Sequence, residues 1–130
     1  MRVTIETDGR LAVHDVTDRI AAAIPGNADG LVTVFVRHTT AGVVVNEPES
    51  RLLGDVEGFL AQLVPEDGWD HDRIDDNADA HLRALLLGEH VTVPVADGDP
   101  DLGTWQAILL IECDGPRERT LDVAVQPAER

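Results

Sequence analysis

Lysine is absent from this sequence of 130 residues, and acidic residues far outnumber basic ones. Ten basic residues, all of them arginine, stand against 25 acidic residues, which gives a formal net charge of −15. Nucleic acids and anionic membranes are bound through basic patches, so this charge argues against both kinds of partner. Because salt screens the repulsion between like charges, the acidity and the missing lysine indicate a halophilic protein of a high-salt cytoplasm.

Cysteine and long apolar runs are equally scarce. The one cysteine, Cys113, rules out a disulfide within the chain, and we expect it to be a small buried residue of a strand. No apolar run approaches the roughly 20 residues of a membrane helix, and the N-terminal segment alternates like a strand instead of resembling a signal peptide. We therefore expect a cytoplasmic protein that forms a single domain over residues 1–130.

The apolar pattern predicts an α+β fold with a mostly antiparallel sheet or sandwich, two main helices and one short helix. Asp8-Gly9 would join the first two strands as a hairpin, and Pro48 would lie in the first turn of the first long helix. Asp76 and Asp79 would form a capping pair that opens the second long helix. The strands are expected at residues 2–6, 10–14, 31–37, 43–45, 91–95, 106–113 and 118–126, and the helices are expected to end at Ile24, before Pro65 and at Gly88.

Polar side chains stand at the ends or borders of several predicted elements, where structure alone does not demand them. They belong to His38, Glu47, Asp55, Asn77 and His81. Asn77 and His81 are four residues apart on a helix and so share one face, while His71 lies in the preceding acidic loop. Neutral imidazoles bind Zn²⁺ and related metals, and carboxylates complete such sites. We expect these six residues to gather in one cleft, within a subunit or across two.

Alternatives stay open for the histidines and for the acidic loop. The histidines are metal ligands, or His71 is an ordinary loop residue and His81 a helix-surface residue paired with an acid. The loop at residues 66–76 is a Mg²⁺ or Ca²⁺ site, or it is a solvated acidic face. It lacks the Asp-x-Asp-x-Asp-Gly spacing of a calcium loop, which favours the second interpretation.

The strand after the Gly-rich loop carries an amide and a carboxylate, Gln106 and Glu112, on the same face as two aliphatic residues. Arg117 and Arg119 share parity with the apolar residues of the final strand. Each arginine is either paired with an acid such as Glu112 or directed at an anionic ligand. About 20 Å of strand separates Gln106 from Glu112, so we expect Gln106, next to Trp105, to serve a site and Glu112 to be structural.

Seven motifs occur in one order along the chain. They are His38-Thr-Thr-Ala-Gly, Asn46-Glu47-Pro, Asp55, His71, Asn77-Ala-Asp-Ala-His81-Leu, Gly103-Thr-Trp-Gln106 and Glu112-x-Asp-Gly-Pro-Arg117. In this combination the chain resembles the secondary thiamine-phosphate synthase family, also called YjbQ-like, from about residue 10 to residue 125. It departs from the usual pattern mainly in its added acids and in Thr40, where a serine is common.

The resemblance implies a small α+β homotrimer with a polar site close to a subunit boundary. It also implies a transferase of thiamine biosynthesis that joins hydroxymethylpyrimidine diphosphate to thiazole phosphate as a weak secondary activity. The alternative is a non-catalytic trimeric module that binds a metal ion or a small metabolite. The implied site has three parts: catalytic Glu47, Asp55, Asn77 and Gln106; substrate-binding Thr104, Trp105, Arg117 and Arg119; and His38, His71 and His81 for a divalent metal, Zn²⁺ or Mg²⁺.

The composition of the chain disfavours phosphate binding. The chain has no Gly-rich Walker loop, and its net charge of −15 repels phosphate. A bound metal ion or an arginine would have to offset that charge at the site and stabilise the departing pyrophosphate.

Overall fold

Two antiparallel sheets and three helices make up the fold in the computed structural model, which describes residues 1–129. The strands are β1 (Arg2–Glu6), β2 (Ala12–Asp15), β3 (Gly30–Val36), β4 (Ala41–Asn46), β5 (His90–Ala96), β6 (Asp99–Pro100), β7 (Ala107–Glu112) and β8 (Glu118–Pro127). The helices are α1 (Thr17–Ala22), α2 (Ser50–Leu63) and α3 (Ala78–Leu87), and a 3₁₀ turn covers Asp70–Arg73. The predicted α+β class, with two main helices and a short one, is confirmed. No helix among the described residues has the length and apolarity needed to cross a membrane.

The sheets and helices form three layers. The larger sheet has the strand order β1–β8–β3–β5–β6 and the smaller one the order β2–β7–β4. All six residues of β7 are buried, because this strand is covered on both faces. Ile108 and Leu110 pack into the core between the sheets, whereas Ile111 packs with Leu60 of α2 and Ala80 of α3. A strand enclosed in this way is apolar throughout, which explains the unbroken apolar run at 107–111.

The predicted hairpin around Asp8-Gly9 is wrong. β1 pairs with β8 in the larger sheet, and β2 pairs with β7 in the smaller sheet. Gly9 has a φ of 65° in the segment that carries the chain from one sheet to the other. Alternation and a turn signal located both strands, but neither determines which strand is the hydrogen-bonding partner.

The predicted capping pair at the start of α3 is also wrong. Asn77 is the N-cap residue and makes no capping hydrogen bond with its side chain. Asp79 is fully buried and accepts hydrogen bonds from Arg10, at 2.9 and 3.0 Å, and from Arg83. Arg83 also donates to two backbone carbonyls at the end of α2. The carboxylate of Asp79 therefore ties α3 to its neighbours instead of capping the helix.

The strand β3 is central in its sheet, but only one of its faces is covered in the single chain. Val32, Val34 and Val36 are buried in the core between the sheets. Leu31 and Phe35 on the opposite face are 43% and 40% exposed. The larger sheet thus presents apolar side chains on its outer surface.

Candidate functional site

A cavity of about 350 Å³ opens where the end of β3, the start of β4 and one side of α3 meet. Gly42 permits the close approach of α3 to β4, because a Cβ atom at this position would lie 2.6 Å from the Cβ of Leu87. We call this cavity the histidine pocket. Its lining consists of His38, Thr39, Ala41, His81, Ala84, Leu85 and Glu89.

A chain of hydrogen bonds orients His71 beside this pocket. The Nε2 atom of His71 lies 3.1 Å from Oδ1 of Asn77, and Nδ2 of Asn77 donates to Asp114 at 3.0 Å. Arg117 donates to the same carboxylate oxygen at 3.1 Å. Because an ionised carboxylate only accepts, Asn77 must turn its carbonyl oxygen to His71, which therefore donates from Nε2. In the neutral ring, Nδ1 of His71 then carries a free lone pair.

His71 and His81 form a close pair. Their ring centroids are 4.9 Å apart, and their planes make an angle of 81°. His81 lies on α3 and also lines the histidine pocket. The pair places a second imidazole beside the oriented ring of His71.

His38 has a different hydrogen-bonding state. Its Nε2 accepts a hydrogen bond of 2.9 Å from the backbone N–H of Thr120. Burial and the positive charge of Arg119 lower the pKa of His38, which favours the neutral ring. With Nε2 as an acceptor, the proton of the neutral ring sits on Nδ1. In this arrangement His38 can offer a ligand an N–H donor, while its acceptor nitrogen is already engaged.

The three histidines assigned to a metal therefore share one region without forming a complete ligand set. Within residues 1–129, no group of three or more His, Cys, Asp or Glu side chains is placed to hold a metal ion. The assignment of His38, His71 and His81 to a divalent metal stays a prediction.

Arg119 lies in the core instead of lining the pocket. Its side chain is 1% exposed, and it donates to Glu112 at 2.8 Å and to Thr40 Oγ1 at 2.9 Å. Burial would raise the pKa of Glu112, but hydrogen bonds from Arg119 and from Thr7 outweigh this effect and hold the pKa below its usual value. The two residues form the closed structural pair expected for Glu112. In the single chain Arg119 is thus engaged by Glu112 and Thr40, and its assignment to substrate binding stays a prediction.

Four of the other predicted site residues lie at the far end of β4 and β7. A cavity of about 270 Å³ is lined there by Glu47, Thr104, Trp105 and Gln106, together with Pro48 and Glu49. The pairing of β4 with β7 runs from Ala41 opposite Glu112 to Asn46 opposite Ala107. Five residue steps along a strand put the two cavities about 17 Å apart.

The expected gathering of six residues is therefore partial in a single chain. Four of them, His38, His71, Asn77 and His81, lie at or beside the histidine pocket. Glu47 lines the far cavity, and Asp55 is exposed on α2 and lines neither cavity. The separation arises because β4 carries the chain across the smaller sheet between His38 and Glu47.

Gln106 has a structural task in addition to its place at the far cavity. Its side-chain Oε1 accepts a hydrogen bond of 2.8 Å from the backbone N–H of Gly103. The backbone N–H of Gln106 donates to the carbonyl of Gly103 at 3.0 Å. The side chain therefore closes the loop that presents Thr104 and Trp105.

Sequence reasoning overlooked Asp114, which anchors the hydrogen-bond chain to His71. A signal was nevertheless present, because Asp114 is the acid within the Glu112-x-Asp-Gly-Pro-Arg117 motif. An acid at a strand end with an arginine three residues later favours a local ion pair, and the structure contains that pair.

Comparison with known proteins places this fold and sequence among proteins without a stated activity. The family model described as "UPF0047 protein YjbQ-like" matches residues 1–128. A UPF0047 protein of Archaeoglobus fulgidus is 48% identical over 124 residues, which cover 95% of this chain and 98% of that protein. Another from Methanothermobacter thermautotrophicus is 46% identical over 124 residues, covering 93% of this chain and 87% of that protein.

Solved structures agree with these relatives. The crystal structure of a hypothetical protein from Aeropyrum pernix superposes with a TM-score of 0.93 at 42% identity, covering 98% of each chain. A protein of Sulfolobus solfataricus, described as YbjQ-like and of unknown function, has a TM-score of 0.86 at 37% identity, with 95% of this chain and 92% of that chain covered. None of these descriptions links the chain to thiamine-phosphate synthase, so this part of the resemblance is not supported.

Proposed function

Because the chain belongs to the UPF0047 YjbQ-like family, whose relatives described above have no stated activity, we propose a function from the geometry of the histidine pocket. The protein binds a zinc-type metal ion through His71 and His81 and holds a small polar metabolite beside it. His38 donates an N–H from Nδ1 to the metabolite. The observation that carries this proposal is the hydrogen-bond chain that engages Nε2 of His71 through Asn77 and Asp114, next to the ring of His81.

The geometry of the two rings fits a shared metal. A tetrahedral zinc ion with Zn–N bonds of about 2.0–2.1 Å places the centroids of two imidazole ligands roughly 5 Å apart. The centroids of His71 and His81 are 4.9 Å apart. In addition, metal-binding histidines usually donate their other N–H to a fixed acceptor, and Asn77 is that acceptor for His71.

The donor atoms favour zinc over magnesium. Imidazole nitrogen suits zinc, copper and nickel, whereas magnesium prefers oxygen ligands and keeps several waters. A zinc ion held by His71 and His81 would still have room for water or an oxygen of the metabolite. The bound metal would supply a positive charge that holds an oxygen of the metabolite.

Zinc binding is the first prediction, and it should depend on both rings and on Asn77. His71→Ala and His81→Ala should lose stoichiometric zinc, because each removes a ligand. Asn77→Leu should weaken zinc affinity by about 10–100-fold, because His71 loses its orienting acceptor. This variant removes no helix-capping bond, since the Asn77 side chain makes none. The measurement is metal content by mass spectrometry and zinc affinity by competition with a chromophoric chelator.

Two matched variants control this experiment. His14→Gln removes a histidine on β2 and should retain zinc. His38→Ala should also retain zinc, because the acceptor nitrogen of His38 is already bonded to Thr120. Unchanged zinc affinity in both His71→Ala and His81→Ala would reject the proposal.

We also propose the homotrimer that the resemblance implies. Leu85 lines the histidine pocket and is 77% exposed, so apolar surface borders the site. Light scattering in high salt should then give three times the chain mass of 14.0 kDa. In low salt the charge of −15 per chain should weaken the assembly, because screening falls. A monomer in high salt would contradict this.

Thiamine-phosphate synthesis is the second candidate function, and it names the specific reaction that the resemblance implies. In that reaction the thiazole nitrogen attacks the pyrimidine methylene carbon, the carbon–oxygen bond breaks and pyrophosphate leaves. Arg117 favours it, because half of its side chain is exposed at the end of the hydrogen-bond chain. The inward position of Arg119 leaves Arg117 as the one phosphate-binding arginine of the two that the resemblance implies.

Zinc-loaded protein should then form thiamine phosphate from the two phosphorylated substrates, and Arg117→Ala should reduce the rate. Arg51→Ala, on the exposed side of α2, is the matched control and should leave the rate unchanged. Product formation no faster than without protein would remove this activity and leave the metal proposal intact.

A further inference from the structure

A separate apolar cavity of about 330 Å³ lies between α2 and the outer face of the smaller sheet. Val56 and Leu60 line it from the helix, and Leu109 and Ile111 line it from β7. It shares no lining residue with the histidine pocket. Its size and mostly apolar wall are typical of small-molecule sites.

The cavity exists because α2 packs loosely on the sheet. An amphipathic helix normally buries its apolar stripe against the core. Of the 14 residues of α2, Leu60 is the one that is buried, and Phe59, which also lines the cavity, is 61% exposed. The space between helix and sheet is therefore open to an apolar group from outside.

The polar end of the cavity is suited to a cation. Asn46 Oδ1 accepts a hydrogen bond of 2.8 Å from the backbone N–H of Glu47, and both residues line the cavity. Among residues 1–129, the carboxylate of Glu47 has no hydrogen-bond or ion-pair partner. Glu47 also lines the far cavity with Trp105, which is 71% exposed. A carboxylate and an aromatic ring both attract an ammonium ion.

We propose that this cavity binds an organic ammonium ion with an apolar tail. The ammonium group lies at Glu47 on the side of Trp105, and the tail lies between Val56 and Leu109. A neutral apolar ligand would cover the Glu47 carboxylate without pairing it, and an anion would be repelled by it. The chemistry of the cavity thus selects for both the charge and the tail.

Hexylammonium is the probe that tests this site. In a Trp69→Phe variant, Trp105 is the one remaining tryptophan. Titration in 1 M NaCl, which screens general attraction to the acidic surface, should change its fluorescence saturably. Hexanol should bind at least tenfold more weakly, and hexanoate should not bind. From butylammonium to hexylammonium, each added CH₂ should tighten binding by about fourfold.

Two substitutions locate the ammonium group and the tail. Glu47→Gln should weaken hexylammonium at least tenfold and leave hexanol unchanged. Glu57→Gln makes the same change on α2, away from the cavity, and should have no effect. Val56→Phe should remove the dependence on chain length, because the larger side chain fills the cavity.

The thermal shift of the unsubstituted chain gives an independent reading. Hexylammonium should raise the melting temperature more than methylammonium does, because only hexylammonium carries a tail. Equal weakening by Glu47→Gln and Glu57→Gln, equal binding of hexanoate, or chain-length dependence that survives Val56→Phe would overturn the proposal.

Discussion

Glu112→Ala is expected to lower the free energy of unfolding by about 3–5 kcal/mol, because it leaves the guanidinium of Arg119 buried without its countercharge. Arg119 is 1% exposed, and Thr40 is the other partner that remains to it. The Thr7 hydroxyl would also lose its contact with Glu112 and keep the carbonyl of Arg117 as its acceptor. The loss should far exceed that of an ordinary surface ion pair, whose contribution is about 0–1 kcal/mol.

Urea denaturation in high salt measures this effect. Glu118→Ala, an exposed acid at the start of β8, is the matched control and should change the unfolding free energy by less than about 0.5 kcal/mol. The double variant Glu112→Leu/Arg119→Met should be more stable than Glu112→Ala, because no unpaired charge is left in the core. A Glu112→Ala protein as stable as the control would show that the pair is not structural.

Asp79→Ala should be comparably destabilising, by about 3–5 kcal/mol, since it leaves Arg83 buried without a carboxylate partner. Arg83 joins Asp79 on α3 to the carbonyls of Leu60 and Val64 on α2, so the variant should loosen the helical layer. Arg10 would lose its two hydrogen bonds to the same carboxylate. Urea denaturation is again the measurement, and Asp76→Ala, an exposed acid three residues earlier, is the control.

The pH dependence of stability gives a second reading for Asp79. Burial would raise its pKa, but hydrogen bonds and charge from Arg10 and Arg83 outweigh it, so the pKa lies below the usual value. A carboxyl with a lowered folded pKa stabilises the fold above its unfolded pKa of about 3.9, and this contribution is lost as the pH falls towards the folded pKa. As the pH falls below about 4, the free energy of unfolding should therefore decrease less in the Asp79→Asn variant than in the natural chain. An identical acid dependence would contradict this assignment.

The types of element could be predicted because they depend on neighbours along the chain. Alternation located β1, β2, β5 and β8, and the apolar period located α2 and α3. Strand partners could not be predicted in the same way. β1 and β2 follow one another but belong to different sheets, because pairing depends on the packing of the whole chain.

The candidate site could likewise be predicted only in part. The motif order predicted that His38, Asn77 and His81 would serve one region, and they lie at or beside the histidine pocket. The motif order also grouped Glu47 with them. In a single chain Glu47 does not lie at the histidine pocket, because about 17 Å of strand separates the two places. Motifs record which polar residues are unusual, whereas distance depends on the path of the strands.

The sequence by itself determined the charge balance, the α+β class and the parity that places Arg119 on the buried face of β8. The tertiary structure alone decided that Arg119 pairs with Glu112. It also decided that the backbone N–H of Thr120 donates to His38, which lies 82 residues earlier. It also decided the proton position on His71, through Asn77 and Asp114. Side-chain periodicity is a property of a few consecutive residues, whereas hydrogen-bond partners and desolvation arise only when distant segments pack together.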